Sequence, residues 1–228
     1  MNLTQAFTTP IYENIIQNKN VDREFEDVIE SLKQNNKFQL NTSTECQLLS
    51  DTSFTENLFD TGKLEIFKSY LQENIKNYVK MVVPNYVTNR NYDFNIDSSW
   101  LTLNKKGHYS HLHHHADSDI SGVYYVRTNG YDGNLVIENP NRLSTTSYLL
   151  NTWQESLHIR PEPNKLILFP GWIFSPGRIP AIETLSAFLS KIISKASKIV
   201  FRFAAGAFCI TVQHSIQLVG QHATIAGL

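Results

Sequence analysis

Five histidines fall within eight residues (His108, His111, His113, His114 and His115) in the stretch "GHYSHLHHHADSDISGVYY" at 107–125. Asp117 and Asp119 follow, and then a run that reads as a strand. Imidazole nitrogens and carboxylate oxygens are the donors of a catalytic Fe(II) centre, which takes two His and one carboxylate on one face and leaves its remaining positions open. Along a strand, residues i and i+2 point to the same side, so a His-x-Asp pair supplies two of three such ligands. His115-Ala116-Asp117 has that spacing. His111-Leu112-His113 and His113-His114-His115 have it too, and support a different register or a zinc site. A His-rich tract also fits a solvated loop, an incidental chelating patch or a hydrogen-bond network. His108 and His158 read as ordinary surface or packing histidines, and Asp119 as a turn or strand-entry residue.

The elements that must position this tract are of two kinds. Residues 1–20 open with a short apolar, β-branched piece broken by Pro10. Val21, Phe25, Val28, Ile29 and Leu32 recur at helical spacing in 21–34, and Leu64, Phe67, Leu71, Ile75 and Val79 do so in 63–80. Polar turn residues between Asn35 and Thr55 read as loops. From Asn95 the period changes to two. "IDSSWLTLN", "ISGVYYVRTN", "GNLVIENP" and "NKLILFPGW" are strand candidates bounded by Gly, Asn or Pro. Closely spaced strands with turn signals predict an antiparallel barrel or sandwich behind a helical front, an α+β arrangement.

The 228 residues suit one domain with a helical extension, and 41% apolar residues with 13 Phe supply a core. A formal net charge of −1 carries no footprint of nucleic acid or an anionic membrane. Met1 to Pro10 lacks the basic start and apolar run of a secretory signal. No stretch approaches the roughly 20 apolar residues of a membrane span. Cys46 and Cys209 are far apart and form no CxxC pair, which points to a reducing, cytoplasmic setting.

The segments "SSWLTLNKKGHYSHLHHHADSDISGVYYV", "DGNLVIENPN" and "KLILFPGW", with "FTTPIYENII" near the start, resemble a family of 2-oxoglutarate- and Fe(II)-dependent oxygenases over most of residues 5–174. Ser121-Gly122-Val123-Tyr124-Tyr125 and Leu168-Phe169-Pro170-Gly171-Trp172 are its most specific parts. The resemblance implies a double-stranded β-helix, a jelly-roll or cupin-like core, with the metal at its open mouth. It divides the chain into an N-terminal helical region at 1–94 packing on the barrel, a core at 95–174 and an atypical tail at 175–228. His115 and Asp117 look like the first two ligands; the family's motif often lacks an acid there, which favours His113 in another register. Fe(II) would bind 2-oxoglutarate, and its oxidative decarboxylation to succinate and CO₂ would drive hydroxylation of a substrate C–H. By the same similarity Tyr125 would donate to the distal carboxylate of 2-oxoglutarate. Tyr124 points to the other face of the strand, and plain packing is the competing reading for both tyrosines. The substrate, a small molecule or a protein side chain, is not readable.

The tail departs from the pattern. The family places a third ligand His and then a carboxylate-pairing Arg after the Phe-Pro-x-Trp strand. Here Ser175 stands at the His position, and the next His is His214. Residues 1–174 hold 21 Asn and residues 175–228 hold none; the tail also lacks Asp, Tyr and Trp. A reading-frame slip accounts for both departures. When each triplet takes the third base of one codon and the first two of the next, the readings allowed across Arg178–Lys191 include "NSSDRNVISVSFK". Its Arg comes from Ile182 and Glu183, where the only alternative is a stop; the His is not recovered. On this reading the barrel is incomplete at its C-terminal side, holds metal weakly, is inactive and exposes an unpaired edge. The competing reading is a genuine extension, in which Ile182, Leu185, Phe188, Leu189 and Ile192 fit an amphipathic helix. Two further functions remain open: a non-catalytic jelly-roll binding protein, and a zinc or nickel site made by the His tract alone.

Overall fold

A computed structural model describes residues 8–41, 50–52, 57–83, 93–104, 113–115, 118–128, 133–140, 156–174 and 184–195. The chain divides between Ala196 and Ser197, and every described residue lies in the first unit. No described helix is long and apolar enough to cross a membrane.

The architecture mixes helix and sheet. Helix α1 (Lys19–Gln34) starts where the Asn18 side chain accepts the Asn20 amide at 2.8 Å, and it buries Val21, Phe25, Val28, Ile29 and Leu32. It stops at Asn35, and Asn36 turns the chain at φ +50, a left-handed conformation that Asn tolerates better than most residues. Helix α2 (Glu65–Val82) follows a 3-10 turn at Leu58–Thr61. Leu64 gives it no side-chain cap. The Glu24 carboxylate of α1 does so instead, accepting the Ile66 and Phe67 amides at 2.8 and 2.9 Å. One interaction therefore caps one helix and docks it to the other.

Among the described residues nine strands form two sheets. Strands β1 (Tyr12–Ile15), β2 (Gln39–Asn41), β3 (Ser50–Thr52), β4 (Asp93–Asn104), β5 (Ile120–Arg127), β8 (Lys165–Pro170) and β9 (Thr184–Lys195) run in the order β1-β8-β5-β9-β4-β3-β2. Each of the six described strand pairs in this sheet is antiparallel. Strands β6 (Leu135–Glu138) and β7 (Ser156–Ile159) form a separate antiparallel pair.

The large sheet is covered on both faces, so β5 is buried from Ile120 through Tyr125. On one face Ile120 and Tyr124 join Leu166, Leu168 and Leu101 against the helices. Phe25 stacks on Tyr124 at 5.2 Å and meets Phe67 edge-on at 4.8 Å. On the other face Val123, Tyr125, Ile167 and Phe169 pack with Leu135, Ile137, Ile159 and Ile173, closing the small sheet onto the large one. A buried Asn74 ties β1 to α2: its Oδ1 accepts Tyr12 Oη and Asn14 Nδ2 at 2.8 and 2.7 Å, and its Nδ2 donates to the Tyr70 carbonyl.

Three expectations are corrected. The stretch from Asn35 to Thr55 is not all loop, because β2 and β3 pair within it. Thr184–Lys195 is a strand and not an amphipathic helix: between the open edges of β4 and β5, ladder hydrogen bonds outweigh a helical spacing of apolar residues. For the same reason the large sheet does not lack its closing strand among the described residues, since β9 fills the gap.

Candidate metal and oxo-acid site

Two backbone junctions fix the histidine tract. The His115 amide donates to the Gly171 carbonyl at 2.9 Å, and the Gly171 amide donates to the Asp119 carbonyl at 3.2 Å. A turn then closes as the Ser118 amide and hydroxyl both donate to the His115 carbonyl, at 3.0 and 2.7 Å. The buried Ser118 and Ser121 hydroxyls meet at 3.2 Å. Glycine is required at 171. A Cβ there would overlap the Ser118 carbonyl oxygen and hydroxyl and come within 2.8 Å of the His115 carbonyl. The end of β8 and the histidine turn are thus one tightly packed unit.

Within that unit the alternation expected along an extended chain appears. His113 and His115 pack ring against ring at 5.1 Å and 86°. His114 is exposed and sets its ring edge-on to Phe174 at 4.7 Å. Trp100, from β4, lies 6.2 Å from the His115 ring. Burial, with smaller contributions from His113 and His114, pushes the His115 pKa down to about 4. His115 is therefore a neutral imidazole at physiological pH, the form that donates a lone pair to a metal.

The other residues singled out by the sequence separate cleanly. Asp117, His108 and His111 lie outside the described residues. Asp119 is an exposed turn residue leading into β5. His158 is exposed on β7 and hydrogen-bonded to Ser156 Oγ at 2.9 Å. Tyr124 is packed on the helix face with its hydroxyl on Asn164 Oδ1 at 3.1 Å, and burial pushes its phenol pKa up. Tyr125 is buried on the opposite face, between the sheets. In register Tyr125 stands opposite Ser186 of β9, which in turn stands opposite Thr102 of β4. Tyr125 and Trp100 thus occupy positions on the same face of the sheet. Among the described residues no three His, Cys, Asp or Glu side chains converge as a metal cage; the donor set there is the His113–His115 pair. Two soft-to-borderline nitrogens, one held neutral by burial, fit a divalent transition metal as part of a larger set.

Sequence reasoning missed Ser118, Ser121 and Gly171 as anchors. Ser-x-x-Ser leading into a strand, and a glycine directly after Pro170, were the available signals.

Comparison with known proteins points one way. Residues 98–175 match a family model described as "Putative 2OG-Fe(II) oxygenase". A prolyl-4-hydroxylase from Pseudomonas putida superposes with a TM-score of 0.54 at 10% identity, over 81% of this chain and 94% of the other. A prolyl hydroxylase from Trichoplax adhaerens, solved with a hypoxia-inducible-factor peptide, gives 0.52 at 14% identity, over 80% and 82%. A 2OG-Fe(II) oxygenase-family oxidoreductase from Burkholderia pseudomallei gives 0.52 at 11%, over 81% and 88%. No curated protein matches. Residues 98–175 thus match that family's model, and the solved structures share this chain's fold.

Proposed function

We propose that this chain carries the site of an Fe(II)- and 2-oxoglutarate-dependent dioxygenase on a double-stranded β-helix, with the β6–β7 pair as part of the second wall. The observation that carries this reading is the His113–His115 ring pair, with the His115 backbone pinned to the end of β8 and its imidazole held neutral by burial. His115 and Asp117, or His113 in the other register, hold the metal. Ferrous iron bound there would couple O₂ and the decarboxylation of 2-oxoglutarate to oxidation of a substrate C–H bond.

The chain's own residues do the rest. Gly171 and Ser118 hold the His115 backbone, so its ring enters in one orientation. Burial keeps that ring unprotonated. Tyr125, on the face between the sheets, donates to the carboxylate of the oxo-acid, while apolar Val123, Ile167 and Phe169 beside it exclude water. The substrate is a small molecule or a protein side chain. The two widely separated cysteines favour a cytoplasmic setting. A non-catalytic binding role and a zinc or nickel tract gain nothing from the comparisons.

Anaerobic titration of the purified chain with Fe(II), with and without 2-oxoglutarate, tests this. His115→Ala should weaken iron uptake at least tenfold, and Tyr125→Phe should weaken only the oxo-acid. Iron uptake untouched by both His113→Ala and His115→Ala would refute the reading.

A further inference from the structure

The tail's composition and the place of β9 carry a separate conclusion. Residues 175–228 hold no Asn, Asp, Tyr or Trp, although 1–174 hold 21 Asn, 9 Asp and 10 Tyr. The tail is not simply apolar, since Ser, Lys, Gln, His and Thr all occur in it. Asn, Asp and Tyr share codons with a middle A, a pyrimidine third base and a first base other than C, whereas Lys and Glu, with a purine in the third place, survive, so the loss follows codon type rather than polarity as such. A shift of reading frame removes and restores codon classes in this way, whereas a change of fold selects on polarity.

The genetic code allows a direct check on the protein sequence. Take triplets made of the third base of one codon and the first two of the next. The triplet across Glu183 and Thr184 is then AAC or GAC, which is Asn or Asp and nothing else. The triplets across Lys191–Ile192 and Lys198–Ile199 are AAT or GAT, again Asn or Asp. The triplet across Ala187 and Phe188 is always Phe, Leu, Ile or Val. The other frame thus returns Asn or Asp at three positions, and it keeps an apolar position in the middle of β9.

The structure adds an independent observation. β9 lies between β4 and β5, and its register with β4 is continuous from Asp93↔Lys195 to Asn104↔Thr184. Against β5 the register shifts twice, between Ile120 and Gly122 and between Tyr125 and Arg127. No other pairing described in the sheet shifts in this way. The strand with the foreign composition is also the strand whose register shifts against a neighbour. Backbone groups, which are the same in any frame, suffice to fill two open edges.

We propose that residues from about 175 onward are translated out of the frame that encodes the rest of the sheet, and that β9 is an out-of-frame strand occupying the in-frame strand's slot. The boundary falls directly after the Trp172–Phe174 turn beside the histidine unit.

Reading the gene across codons 170–200 tests this without any activity assay. The expected result is a shifted frame open from codon 178 to codon 199, with ATA or ATC at codon 182, so that the triplet across Ile182 and Glu183 encodes Arg. ATT at codon 182 gives TGA in the shifted frame and overturns the proposal, as does any other stop in that window. This result does not depend on whether the site binds iron.

Discussion

The two faces of the seven-stranded sheet are built on different principles. The helix face is held by area: Tyr124, Phe25 and Phe67 meet ring to ring, and Glu24 and Asn74 satisfy the polar groups that the contact buries. The face between the sheets adds a backbone lock to its apolar cluster: Gly171, Ser118 and His115 join through main-chain and hydroxyl hydrogen bonds at the edge where the histidines stand. Adjacent residues of one strand, Tyr124 and Tyr125, fall on opposite sides of that division. The same residue type at neighbouring positions thus takes its role from the face, not from its identity.

The largest effect should come from removing what both faces share. Ala187 stands opposite Leu101 on one side and Tyr124 on the other. Ala187→Pro deletes a ladder donor in a central strand and costs about 3 kcal/mol or more. Circular dichroism should show loss of the cooperative melt; a normal melt would mean that β9 does not join the two halves.

Gly171→Ala attacks the backbone-held face alone. Forcing a methyl against Ser118 and His115 should cost about 1–3 kcal/mol and abolish Fe(II) uptake. Gly62→Ala is its control. Gly62 has φ +67 and no atom within 4 Å of an added Cβ, so only the left-handed conformation is penalised, by about 1 kcal/mol, and iron uptake stays.

The tyrosine pair sharpens the contrast further. Tyr124→Phe removes the bond to Asn164 and should cost about 1 kcal/mol of stability with no change in 2-oxoglutarate affinity. Tyr125→Phe should instead lower that affinity about tenfold. The opposite pattern in calorimetry would exchange the two assignments. The smallest effect belongs to Glu24→Gln, which weakens a charged cap on α2 and should cost about 0.5–1 kcal/mol in a denaturant titration.

Elements with strong period were legible. Both helices appear within two residues of their expected ends, and β4, β5, β6 and β8 fall inside the four expected strand segments or extend them slightly. The short strands were not legible. Gln39–Asn41 and Ser50–Thr52 carry no alternation to read, and only their partners make them strands. β9 was ambiguous for a different reason: Leu185, Phe188, Leu189 and Ile192 stand at both parities, which suits a strand covered on two faces and a helix alike. The histidine tract announced itself by composition, and the opposed faces of Tyr124 and Tyr125 followed from alternation. The anchors did not, because Gly171 and Ser118 act through main-chain atoms brought together from distant segments.

The strand order has a consequence for synthesis. β1, β8 and β5 make one half of the sheet, β4, β3 and β2 the other, and β9, the last of the nine to leave the ribosome, is inserted between them. Until it emerges, β4 and β5 each carry a bare edge and the nascent polypeptide cannot complete its sheet. Assembly must therefore wait for nearly 200 residues of translation, which makes the half-built intermediate a natural client for chaperones.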